Sequence, residues 1–253
     1  MAAHQPGLTG VAGDPASPVH RLDPRAKIAG LLAITLVAVA TPVDHWPVYA
    51  ACLAALAAIA AVARAGPGVV WRRARVVLPV VLFAGALVPL VRTGGGEWTL
   101  GPVTVHEAGL LTFAAMAAKA TIGTLSAVLL SVSTPFPAVL RGLEALRVPR
   151  LFVLVAGMMY RYLFVIAGEV GRTRAALASR GYSPRHALHA RPLGRAAGTL
   201  FLRTYGRGER VHLAMLARGY DGRMPHLSVL AFTPADGAFV ALCLAGPLAA
   251  LLA

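Results

Sequence analysis

Residues 151–182 read LFVLVAGMMYRYLFVIAGEVGRTRAALASRGY, and where they are placed decides the architecture of the chain. The first part, 151–168, is an apolar run of about the length that crosses a bilayer. Arg161 interrupts it near the middle, where a charge is costly in hydrocarbon. The surrounding segment is basic: residues 134–226 hold 15 Arg against only Glu144, Glu169, Glu209 and Asp221, a balance of +11. If 151–168 crossed the membrane, the arginines from Arg172 to Arg223 would be stranded outside, against the bias that keeps Lys and Arg in cytoplasmic loops. The run is therefore expected to lie at the cytoplasmic interface or against protein. The competing reading is a further span with Arg161 tucked in.

The rest of the chain sets the context. Of 253 residues, 57% are hydrophobic and 13% charged, against about 25% charged in a soluble domain. The mean hydropathy is +0.69. These values exclude a disordered chain and argue against a soluble enzyme. Apolar runs occur at 28–43, 46–63, 76–91 and 110–132, with a last one from about 234. Arg21, Arg25 and Lys27 precede the first run, and no Lys or Arg lies in 41–45. Arg64, Arg72, Arg73 and Arg75 follow the second run; Arg92, Glu97 and Glu107 follow the third. The positive-inside rule then places the N-terminus in the cytoplasm and returns the chain there near Ser133.

The expectation is an all-α, multi-pass cell-membrane protein with about five transmembrane helices, six if 151–168 also crosses. It divides into a flexible tail (1–20), four spans (21–133), a cytoplasmic-side module of amphipathic coupling helices (134–226) and a C-terminal span (227–253). Thr233, Pro234 and Asp236 mark the start of that last helix. The first 20 residues lack the apolar core of a secretory signal. Cys52 and Cys243 sit far apart in apolar runs, so neither a disulfide framework nor a cysteine metal site is expected.

Within the module, Thr134-Pro135 opens a first helix, with Phe136, Val139, Leu140, Leu143 and Leu146 at helical spacing, and Pro149 ends it. A second helix covers about 151–180 and a third about 193–218. Their ends match at an offset of 38 residues: Arg172 with Ala176-Leu177-Ala178-Ser179-Arg180-Gly181-Tyr182, and Arg210 with Ala214-Met215-Leu216-Ala217-Arg218-Gly219-Tyr220. Each Gly can take the left-handed conformation that stops a helix, and each Arg falls in the last turn, where the macrodipole favours a cation. Two well-capped helices would need no more explanation. A paired motif on two cytoplasmic helices, each offering a five-donor guanidinium fork, suits a partner with two equivalent sites, such as a dimer.

On these residues the chain resembles the transmembrane T component of energy-coupling factor transporters. The segment His20-Arg21-Leu22-Asp23-Pro24-Arg25-Ala26-Lys27 is similar too, as are Thr134-Pro135-Phe136-Pro137, Arg147-Val148-Pro149-Arg150 and Tyr160-Arg161-Tyr162. Together they look most like the cobalt, CbiQ, branch. The resemblance covers roughly 20–223. It implies a non-catalytic subunit that joins two ABC-type ATPases to a substrate-binding membrane subunit, for cobalt or else for nickel or a vitamin. It further implies that Ser179, Arg180 and Gly181, with Ala217, Arg218 and Gly219, dock the ATPases; Ser179 departs from the family's Ala. Phe136, Leu140, Leu143, Met158 and Met159 are the expected contacts to the substrate-binding subunit.

Other chemistries are weaker. No Gly-x4-Gly-Lys-Ser/Thr loop and no His-Glu-x-x-His motif occurs. His186 and His189 are a loose pair in a polar loop, so neither a metal site nor a cofactor is expected. The arginines could serve nucleic acid, but they lie between apolar runs; membrane lipid and protein partners fit better, and no nucleic-acid partner is expected. A self-contained secondary transporter would need inverted repeats and polar groups at mid-membrane, for which only Lys119 and Arg161 are candidates. Lys119 reads as a functional charge or as a snorkelling, helix-packing one.

Overall fold

The computed structural model describes residues 17–64, 97–100, 103–182, 191–222 and 231–252, with isolated positions between 66 and 88. The expected third span, 76–91, lies largely outside the described residues, as do Arg73, Arg92, His186, His189 and most of the expected tail. The described helices are α1 (Pro18–Arg21), α2 (Pro24–Ala40), α3 (Trp46–Val62), α4 (Glu107–Ser133), α5 (Phe136–Ala145), α6 (Arg150–Ser179), α7 (Arg191–Ala217) and α8 (Pro234–Leu252). The described residues are all-α apart from one short hairpin, in which β1 (Glu97–Leu100) pairs antiparallel with β2 (Val103–His106), Glu97 opposite His106. Trp98, Thr99, Val103, Thr104 and Val105 favour strand geometry, a local signal in the stretch between the third and fourth apolar runs.

The chain divides into two compact units, Met1–Leu146 with Leu230–Ala253, and Arg147–Val229. In the first, α2 lies at the centre, packed by α4, α5 and α8, while α3 packs on α4 and α8. Its core joins Leu31, Ile34 and Ala38 of α2, Tyr49, Cys52 and Leu56 of α3, Ile122 and Leu129 of α4, and Phe239 and Cys243 of α8. Small residues let the helices approach closely. At Gly142 of α5, a Cβ would come within 2.8 Å of Ile28 Cδ1 and 3.2 Å of Pro24 Cβ. Leu140 of the same helix is buried as well.

One face of this bundle gathers four helix ends. The Asp23 N–H at the start of α2 donates to Asp236 Oδ1 of α8 at 2.7 Å. Lys27 Nζ donates to Ser133 O at the end of α4 (3.2 Å), and Ser17 Oγ to Val62 O at the end of α3 (2.9 Å). The end of α4 and the start of α8 therefore lie on the same face of the bundle. Asp236 also accepts from Thr233 N–H and Thr233 Oγ1, both at 2.7 Å, so the helix start expected there is also a tertiary joint. Ser17 and Val19 are buried, and α1 is formed just before α2.

At the other end of α2, Lys119 Nζ donates to Val39 O and Thr41 O, both at 2.9 Å, and Tyr49 Oη donates to Thr41 O (3.1 Å) and Pro42 O (3.0 Å). A cation thus meets the carbonyls that a helix C-terminus leaves unpaired. The structure gives Lys119 a helix-packing role.

In the second unit, neither α6 nor α7 has a buried residue. Among the described residues, α4 and α6 are the two helices long and apolar enough to cross a membrane by length and composition; α3 and Pro234–Ala250 are shorter apolar helices. Arg161 on α6 is exposed.

Candidate functional site

The two matched helix ends close in the same way. At α6, Tyr182 N–H donates to Leu177 O and Gly181 N–H to Ala178 O, both at 3.0 Å. At α7, Tyr220 N–H donates to Met215 O and Gly219 N–H to Leu216 O, again both at 3.0 Å. Gly181 has φ +71° and Gly219 φ +79°. This six-to-one closure needs a left-handed residue, which glycine supplies without steric cost. A Cβ on either glycine would meet no heavy atom within 4 Å, so the glycines answer a backbone demand and not a close approach.

The surroundings repeat with the geometry. Arg180 and Arg218 are exposed, and so are Ser179 and Ala217 before them and Gly181 and Gly219 after them. Tyr182 and Tyr220 are half-buried, as are Leu177 and Met215. Ser179 Oγ donates back to Ala176 O at 3.0 Å, which occupies the hydroxyl where the second motif has Ala217. The six residues singled out from sequence are two equivalent tips, each an exposed guanidinium held on a fixed helix end.

The tips stand apart. Met158 and Tyr162 of α6 line a cavity of about 630 Å³ with Val211 and Met215 of α7 and with Tyr220. A second cavity, about 730 Å³, has Arg161 and Arg218 on its walls. The C-terminal end of α7 therefore lies beside the middle of α6, and Arg180 lies 19 residues further along α6. At 1.5 Å per residue, the two tips are separated by about 28 Å.

Glu169 pins the two helices where they meet. Its half-buried carboxylate lies 3.5 Å from Arg203 Nη1 and 3.7 Å from Arg207 Nη1 of α7, and 3.8 Å from Arg172 Nη2 of its own helix. Sequence reasoning counted Glu169 only as one of four acids in the basic segment. That scarcity was the one available hint, because the partners on α7 are too distant in sequence to leave a local pattern.

The apolar surface of the pair is largely uncovered: Phe152 is 68% exposed, Met159 68%, Phe201 67% and Leu202 70%. Of the expected substrate-subunit contacts, Met159 is on this surface and Met158 faces the cavity. Phe136 is exposed, Leu143 half-buried and Leu140 buried, all on α5 in the first unit. Among the described residues no three His, Cys, Asp or Glu side chains come together as a metal site.

Comparison with known proteins places this geometry in context. The family model for CbiQ, cobalt transport protein, matches residues 15–227. The putative fused cobalt transport protein CbiMQ of Methanocorpusculum labreanum is 27% identical over 217 residues, 83% of this chain and 36% of that protein. The nickel permease LarQ of Lactiplantibacillus plantarum is 31% identical over 125 residues, 49% of this chain and 42% of that protein. A putative ABC transporter ATP-binding protein of Bifidobacterium longum is 28% identical over 241 residues, 89% of this chain and 30% of that protein. The chain spans less than half the length of each of these relatives.

Proposed function

The chain belongs to the CbiQ family of cobalt transport proteins, and from that premise we propose that it is the energy-coupling membrane subunit of an ATP-driven importer. It is a non-catalytic transporter subunit in this reading. Arg180 and Arg218 each dock one of two ABC-type ATPases, and the uncovered apolar face of α6, with the exposed Phe136 of α5, receives a substrate-binding membrane subunit.

The observation that carries the reading is the pair of identically capped, exposed arginine tips about 28 Å apart. A guanidinium fork on a rigid helix end matches carboxylates or carbonyls in a groove, and two such tips match two copies of one groove. Relatives add support. One carries an ATP-binding name and resembles this chain over only 30% of its length, which leaves room for an ATPase in the same polypeptide. Another carries the name of a fusion and matches over 36%. Cobalt is the proposed cargo on family grounds; nickel is the second reading, favoured by the nickel permease relative.

The fold bears on how the chain crosses the membrane. Because the end of α4 at Ser133 and the start of α8 at Asp236 lie on one face of the bundle, the segment between them crosses an even number of times. Helix α7 carries Arg191, Arg195, Arg203, Arg207 and Arg210 and is a poor span. This favours no crossing by either α6 or α7, five spans in all, and a cytoplasmic location for the shared face and the N-terminus.

In this mechanism, ATP binding closes the ATPase pair and shifts the two docked tips relative to one another. Helices α6 and α7, pinned at Glu169, carry that displacement as rigid levers to their apolar faces, and the substrate-binding subunit is re-oriented. The test is the double variant Arg180→Glu, Arg218→Glu. It should no longer co-purify with the ATPases and should lose uptake. Normal co-purification together with full uptake would overturn the assignment.

A further inference from the structure

The octapeptide His20-Arg21-Leu22-Asp23-Pro24-Arg25-Ala26-Lys27 stands out in the sequence, yet neither arginine docking nor substrate-subunit contact uses it. The structure assigns it a role: we infer that residues 20–27 are a clamp that holds the two points where the coupling unit is anchored in the bundle. This rests on the reading of the chain as an energy-coupling subunit.

Its contacts reach every element on either side of that unit. His20 Nε2 donates to Val132 O at 3.3 Å, and Lys27 Nζ donates to His20 O and Ser133 O, both at 3.2 Å. Together they grip the last turn of α4, from which the chain continues into α5. Pro24 and Ile28 lie against Gly142 of α5, the last helix before the coupling unit begins at Arg147. On the other side, Asp23 N–H donates to the buried Asp236 carboxylate, in the first turn of the helix that follows the coupling unit. Asp23 Oδ1 in turn accepts from Arg25 N–H at 2.8 Å, which fixes the backbone making that contact.

Lys27 is 2% exposed and Asp236 1% exposed, and the Lys27 ammonium attracts the Asp236 carboxylate that accepts from the Asp23 N–H. A buried amine and a buried carboxylate are costly to separate from their partners, so the joint resists opening. A lever works only if its base does not spread. With the clamp closed, displacement of the docked tips is delivered to the apolar faces; with it loosened, α5 and α8 part and ATP is hydrolysed without transport. Residues 20–27 are positioning residues in this account, and they touch neither cargo nor ATPase.

The experiment uses the full transporter complex in liposomes, measuring ATPase co-purification, ATP hydrolysis and metal uptake. Lys27→Met should keep the ATPases bound and hydrolysing while uptake per ATP falls about tenfold or more, the scale of losing one charge-assisted hydrogen-bond donor. Uptake per ATP within twofold of the unaltered chain, with ATPases bound, would overturn the clamp alone. If the unaltered chain itself carries no ATPases, the parent reading fails and the clamp with it. A second measurement keeps the question open to refutation should Lys27→Met not accumulate. Pro24→Cys with Gly142→Cys, made together with Ile28→Val to remove the Cδ1 that a Cβ at 142 would meet at 2.8 Å, sets two Cβ positions 3.2 Å apart, near the range that a disulfide bridges. A clamp that stays shut predicts undiminished uptake after oxidation. Uptake that stops on oxidation and returns on reduction would mean the contact opens in each cycle, and would overturn the proposal.

Discussion

Replacing Gly181 by Ala tests whether the partner reads the capped helix end or simply an arginine. The substitution puts a Cβ on a residue at φ +71°. No heavy atom lies within 4 Å of that Cβ, so the cost is backbone strain alone, about 1–2 kcal/mol for an L-residue in the left-handed region. The helix can hold the cap at that cost, or release the bonds to Leu177 O and Ala178 O and let the last turn unwind. In either case, presenting Arg180 in its docking geometry costs about 1–2 kcal/mol, or about 5- to 30-fold in ATPase affinity. Gly219→Ala, at φ +79°, should behave alike. The tips are distant and each meets a different ATPase of the pair, so the two effects should combine to about 25- to 900-fold. Asn, which tolerates the left-handed region, should recover part of the loss. Gly198→Ala is the control: it also has open space around it but an ordinary helical φ, so it should firm α7 by about 0.5–1 kcal/mol without touching affinity. The assay is titration of the purified ATPase pair onto detergent-solubilised variants. Affinities within twofold of the unaltered protein for both Gly181→Ala and Gly219→Ala would refute the argument that the cap sets the docking geometry.

Two further outcomes follow from the packing. Lys119→Met removes the donor to Val39 O and Thr41 O and should lower stability by about 2–4 kcal/mol, seen as a fall in the thermal midpoint in detergent, with Lys119→Arg retaining part of it. An unchanged midpoint accompanied by lost uptake would instead make Lys119 a functional charge. Glu169→Gln weakens three contacts to largely exposed arginines, each worth under about 1 kcal/mol. Amide exchange in α6 and α7 should quicken several-fold while α2 is unaffected; equal rates in α6 and α7 would dismiss Glu169 as the pin.

Much of this was legible in the sequence because it is local. Membrane class follows from apolar run lengths, and helix stops from Gly181 and Gly219, since a glycine after a periodic segment carries its conformational reason with it. The 38-residue repeat, visible in one sequence, located both tips. The start of α8 was legible from Thr233 and Asp236 three residues apart. The hairpin at 97–106 was missed although its strand-forming residues were in view. Leu140 was expected on a partner-facing surface from its spacing alone; spacing says which residues share a face of α5, and only the neighbouring Pro24 and Ile28 say which face the bundle covers.

By itself, then, the sequence determined the helical membrane class, the concentration of positive charge in one segment and the two arginine-tipped helix ends. All of these rest on residues within a few turns of each other. The tertiary structure decided that Asp236 answers Asp23 across 213 residues, that Lys27 answers Ser133 across 106, and that Lys119 answers Thr41 across 78. It also decided that Glu169 binds α7 and that the two tips stand far apart. Such contacts are made by groups whose chemistry is common and whose separation has no period. A lysine in an apolar run announces only that its charge must be met, and which carbonyls meet it is settled by the packing of the helices that bring them within reach.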